Sequence, residues 1–251
     1  MVTMMRRSGR RRVAQRLPAL GAAALEYAAL GWPVCQGASP SRGLDGIGLP
    51  EPGRACSCDR VGCPAPGAHP VSPTWQMQAT ADSAVIGQWW ETRPEANVIL
   101  VTGRVFDVLD VPAVGGAKAL ARMAAADVET GPVSVLLSAG GSNGRASRGA
   151  ADSRAAAPAM RSTDRMHFYV LTRGAPADED EWWSCGLDAS PDLSGEAESL
   201  LWHTRDSFVL APPSRYGTGQ DVRWVREPAG RTLPDGLRLL EYLVDACEEE
   251  G

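Results

Sequence analysis

Apolar positions recur at helical spacing through Leu17–Leu30, where Leu20, Ala24, Tyr27 and Ala28 share one face and Gly31 follows as a stop. The pattern then shortens. Val98–Val101 is a continuous apolar run between Pro94 and Gly103, and Val105–Val111 is a second run broken only by Asp107 and Asp110. Runs of this length bounded by Pro and Gly predict strands. Similar runs predict strands starting at Trp32–Cys35 and at Val133–Leu137, Met166–Leu171, Leu200–His203, Phe208–Ala211 and Val222–Val225. Helices are predicted from an Asp82 N-cap through Trp90, over Ala117–Ala126, over the acidic stretch Pro176–Cys185, and from an Asp235 cap onward. In the last of these Leu237, Leu240, Leu243 and Val244 face inward.

Between these elements the chain is simpler. Gly37–Arg54 is rich in Gly, Pro and Ser and predicts a loop. Residues 138–164 hold Gly, Ala, Ser and Arg with almost nothing large, so the stretch is expected to be a disordered insertion. Residues 1–16 carry Arg6, Arg7, Arg10, Arg11 and Arg12 and are expected to form a disordered basic arm. Glu26 and Tyr27 interrupt the apolar run that a signal peptide would need, and no run reaches 18 apolar residues. The expectation is a cytoplasmic protein without a membrane span. Length and composition, 251 residues and 44% apolar, suit one large domain or two small ones with a sizeable core. A net charge of -5 argues against a general polyanion-binding surface and leaves room for a local one. Lys118 is the only lysine among 25 basic residues, and Ala and Gly abound. That bias reflects a GC-rich coding sequence, so arginine abundance says little about phosphate binding.

Two constellations carry chemistry. Cys56, Cys58, Cys63 and His69 are spaced C-x-C-x4-C-x5-H within 14 residues. Three thiolates and one imidazole can close a tetrahedral Zn2+ site, with Cys35 as a substitute fourth ligand if His69 faces elsewhere. The second is the Asp107/Asp110 pair. Acids inside an apolar strand are costly unless they are paired, bound to a cation or placed at the strand end. Three residues apart on a regular strand, they point to opposite faces, and only a bulge would bring them together. A lone strand histidine such as His167 means little by itself.

The order of parts resembles the N-terminal domain of bifunctional DNA primase/polymerases, in the archaeo-eukaryotic primase superfamily. The matching pieces are Gly31–Val34, Cys56–Pro70, Asp82–Trp90, Pro94–Thr102, Asp110, His167, Ala211–Ser214 and Trp224. The resemblance implies an α+β fold, with a central, mostly antiparallel sheet flanked by helices and a Cys/His zinc loop. It sets the domain at 17–228, followed by a helix and acidic tail at 229–251. It implies nucleotidyl transfer on a DNA template, with Mg2+ or Mn2+ held by a D-x-D pair and nucleotide phosphates contacted by a histidine. Here Asp110 and Asp107 are the metal candidates and His167 the phosphate contact; Arg215 and Arg223, after the Pro-Pro-Ser corner, are either further phosphate contacts or solvated surface arginines. Nucleotides and DNA are the implied ligands, with a helicase or replication protein acting in trans. The motifs are incomplete: the second acid of D-x-D falls at Pro112, and no carboxylate stands in Leu200–His203 where a third acid belongs. A binding domain of the same fold without catalysis is the alternative reading.

Overall fold

Helix α1 (Ala19–Ala29) follows Pro18 and stops at Gly31, whose φ of +84° suits a residue without a side chain. In chain order come β1 (Val34–Gly37), α2 (Trp75–Gln78), α3 (Ser83–Thr92), β2 (Asn97–Val101), β3 (Phe106–Pro112) and α4 (Ala113–Ala125). Then follow β4 (Val133–Leu137), β5 (Arg165–Leu171), β6 (Leu201–His203), β7 (Phe208–Leu210), β8 (Arg215–Tyr216), β9 (Gln220–Arg226) and α5 (Gly236–Glu248). This computed structural model describes residues 18–40, 56–138 except 59 and 61, 161–173 except 162, and 200–249 except 218 and 219. The basic arm, residues 139–160 of the insertion and the helix expected at 176–185 lie outside the described residues.

Instead of one central sheet there are two, and all described strand pairs are antiparallel. The smaller has the order β1-β2-β7, the larger β6-β3-β5-β4-β9-β8. Alternation along β2 sends Val98 and Leu100 to the core shared with the larger sheet, while Ile99 and Val101 pack with Cys35, Trp75 and Phe208 on the other side. Between the sheets Trp32 stacks on Tyr169, with centroids 5.3 Å apart, and meets Phe106 at 4.8 Å. The α1 and α3 helices close this core, and Gly21 lets them approach: a Cβ there would lie 2.8 Å from Trp90 Cβ. Asp82 caps α3 as expected, accepting from the backbone N–H groups of Ala84 and Val85.

Behind the larger sheet, Leu109, Val111, Met166, Phe168 and Trp202 form a second core with α4 and α5. Helix α4 begins four residues ahead of the expected start and contains Gly115 and Gly116. A Cβ on Gly116 would come within 2.9 Å of Val111 and 3.0 Å of Met166, and one on Gly115 within 2.9 Å of Cys247 Sγ, so these glycines serve close packing of the helix on the sheet and on α5 rather than an exit turn. Strand β3 is therefore two-sided. Phe106 and Val108 face the inter-sheet core, and Leu109 and Val111 face the helices.

Candidate functional site

The Cys/His loop hangs beside the small sheet, where Ala38 donates its N–H to the His69 carbonyl and Gly37 and Pro40 bridge to Pro70 and Cys56. Those contacts gather the four expected ligands. Cys56 Sγ lies 3.3 Å and Cys63 Sγ 3.5 Å from His69 Nε2, and the ligand atoms of Cys56, Cys58, Cys63 and His69 all fall within 4.8 Å of one another. The His69 Nδ1 atom is 2.9 Å from the Pro70 carbonyl, which can only accept. The proton therefore sits on Nδ1 and the Nε2 lone pair points at the thiols, the tautomer a metal requires. Gly67 donates its N–H to Cys56 Sγ. Cys35, the alternative ligand, belongs to a separate apolar cluster on β1, where burial pushes its thiol up to about 12.

The second cluster follows from strand register. Asp110 pairs directly with His167 across β3 and β5, and His203 on β6 pairs with Val108. Residues two apart share a face, so Asp110, Val108, His167, His203 and Arg165 all project from the same side of the sheet. The Asp110 Oδ2 atom is 3.5 Å from His167 Nε2 and 3.3 Å from His203 Nε2. Arg165 reaches Asp110 Oδ1 from its Nε at 2.8 Å and the Asp110 carbonyl from a terminal nitrogen at 3.1 Å. The His203 Nδ1 atom is held by Ser207 Oγ at 2.9 Å. All three members are buried. Burial pushes the Asp110 carboxyl up, but His167, His203 and Arg165 outweigh it and hold the group well below the usual carboxylate range. Burial also lowers His167, against the pull of Asp110. His167 Nδ1 has no hydrogen-bond partner among the described residues.

The other expected residues are placed elsewhere. Asp107 pairs with Val170 and points to the helix side of β3, where the Arg173 backbone N–H reaches its Oδ2 at 3.1 Å. Strand β3 pairs with β5 residue for residue from Phe106 to Pro112, with no bulge to bring the two acids together. Arg215 and Arg223 both pair with Asp221, at 3.4 and 2.8 Å, on an exposed edge of the larger sheet. Sequence reasoning finds only a missing carboxylate in Leu200–His203 and passes over His203, although histidine there is itself a ligand type. Arg165, two residues before His167, is legible by strand alternation alone.

Mg2+ or Mn2+ bound by paired carboxylates does not fit this donor set. Among the described residues one carboxylate is available on this face, one of its oxygens is engaged by Arg165, and its neighbours are imidazoles rather than the oxygen ligands hard cations take. No described helix is long and apolar enough to cross a membrane. No curated protein and no solved structure matches the chain. The family model of the bifunctional DNA primase/polymerase N-terminal domain does, over residues 24–236, and that span takes in both sheets and both clusters. With the Cys/His loop, the acid strand and the histidine strand all inside it, the chain belongs to the bifunctional DNA primase/polymerase N-terminal domain family.

Proposed function

We propose that this primase/polymerase-fold domain binds nucleotide or nucleic acid without templated nucleotidyl transfer by paired carboxylates, and that its Cys/His loop is a structural zinc staple. One observation carries the first part: Asp107 and Asp110 leave β3 on opposite faces in an unbroken register. Two-metal transfer needs acids that share ions about 4 Å apart. Asp110 stands alone among imidazoles, and removing one member of a cooperating set removes nearly all of its rate. Family membership supports nucleotide or DNA as the ligand. His167, with its buried Nδ1 unpartnered among the described residues, has a ring nitrogen left for such a ligand. For the loop, a donor set of three sulfurs and one nitrogen, together with the His69 tautomer, favours zinc.

Primer extension tests the reading. The full chain is incubated with a primed DNA template, labelled deoxynucleotides and Mg2+ or Mn2+, beside Asp110→Ala. No extension is expected from either protein, whereas a fluorescent nucleotide or single-stranded DNA still binds the parent chain. Extension that disappears in Asp110→Ala overturns the reading, and so does the absence of any binding.

A further inference from the structure

Two histidines and one aspartate buried on one sheet face form an unusual set for an apolar core. Hydrogen bonding alone explains their spacing poorly. Charge-assisted N–H···O bonds to a carboxylate settle at about 2.7–2.9 Å. Arg165 does so, at 2.8 Å from Oδ1, while the two imidazoles stand off Oδ2 at 3.3 and 3.5 Å. Those longer distances match something else. Metal–ligand bonds of about 2.0–2.1 Å give tetrahedral edges of about 3.3–3.4 Å between neighbouring donor atoms. All three donor atoms lie within 4.8 Å of one another, as one ion would require. The surroundings have the layout of ligand support. Arg165 occupies Oδ1 and leaves Oδ2 to act as a single donor, and Ser207 Oγ lies at His203 Nδ1, where it fixes the ring. His167 is 3% exposed, and its Nδ1 has no partner among the described residues, so its placement among them rests on the long contact of Nε2 with Asp110.

We propose that Asp110, through Oδ2, and His167 and His203, through Nε2, form a mononuclear transition-metal site. The occupant is Zn2+ or a similar borderline ion rather than Mg2+, because two imidazoles and one carboxylate suit the former and an all-oxygen shell the latter. Three protein ligands leave a coordination position for water or an anionic ligand oxygen, unlike the closed loop of three cysteines and one histidine. The inference rests on the reading above that Asp107 takes no part in the site.

The test counts metal. The full chain is stripped with chelator, loaded with Zn2+ or Co2+ in an excess of Mg2+, desalted and analysed by mass spectrometry of the elements. About two equivalents per chain are expected, one for each cluster, and about one in His203→Ala. In the Co2+ form the sulfur-to-metal charge-transfer band of the thiolate loop stays unchanged in that variant, while the weaker ligand-field bands of the nitrogen and oxygen site disappear. If His203→Ala does not melt cooperatively, His203→Gln is counted instead, since its amide preserves a hydrogen bond to Ser207. One equivalent in the parent chain that His203→Ala retains, or two retained in the variant, overturns the site. Primer extension reports separately: extension in Mg2+ overturns the proposed function, whereas a metal count unchanged by His203→Ala overturns this site alone.

Discussion

Asp107 shows how one residue can sit in the expected strand and still miss the site. It is 1% exposed, and its Oδ1 has no hydrogen-bond partner among the described residues. Burial raises its carboxyl above the usual range, against the Arg173 N–H and weaker neighbours that favour the charge. A raised folded-state value means the folded chain binds the extra proton. Its contribution is therefore favourable below the ordinary carboxyl value of 3.8 and is lost as pH rises through the folded-state value. Asn cannot ionise and keeps an acceptor for Arg173. Asp107→Asn is thus expected to melt at a higher temperature than the parent at pH 7, with the gain fading as pH falls towards 3.8, in thermal scans across that range. A lower melting temperature at pH 7 would mean that the ionised carboxylate is held favourably. The opposed directions of Asp107 and Asp110 were legible in their spacing of three. The approach of His203 was not, because it depends on β6 pairing beside β3 with His203 opposite Val108, a register no local pattern encodes.

At the scale of elements, the Cys/His loop does more than gather four ligand side chains. It accepts from Asn97 Nδ2 at the Gly67 carbonyl and from the Gly217 N–H at the Pro66 carbonyl, so it ties β2 and the end of β8 to the edge strand β1. A metal bound only in the folded state stabilises by about 3–4 kcal/mol when free ion exceeds its Kd by 100- to 1,000-fold. Cys58→Ser should therefore lose one equivalent of metal and melt at a lower temperature. Chelator should lower the parent's melting temperature by more than the variant's, as calorimetry would record, because only the parent has an ion in the loop to lose. Equal metal content in both chains would mean that the loop holds no ion. The ligand set was legible because its four residue types stand within 14 residues at a spacing that one ion can gather. The start of α4 was not. Gly115 and Gly116 read locally as breakers, and their reason, the nearness of Cys247 and of Val111 and Met166, exists only once helix and sheet are packed.

Over the whole molecule, the family match ends at residue 236, where α5 begins. The pattern of the sequence likewise sets 229–251 apart from the domain. Packing joins them. Leu239, Leu243 and Ala246 are fully buried in the core that also holds Leu109, Met166 and Trp202, and a Cβ on Gly236 would lie 2.9 Å from the Trp202 ring. Burying two leucines contributes about 3–6 kcal/mol, against a net stability of about 5–15 kcal/mol for a typical domain. The same helix covers the back of β3, whose front carries Asp110, so its loss would disturb the Asp110–His167–His203 cluster through the strand they share. A chain cut after Pro234 is expected to lose its cooperative melt, and Leu243→Ala to lose about 2–5 kcal/mol in denaturant unfolding. The substitution should leave the Co2+ spectrum of the thiolate loop intact, because that loop lies on the small sheet, away from α5. A truncated chain that melts like the parent would mean that β3 and α4 close their own core, and that the domain ends where the family match does.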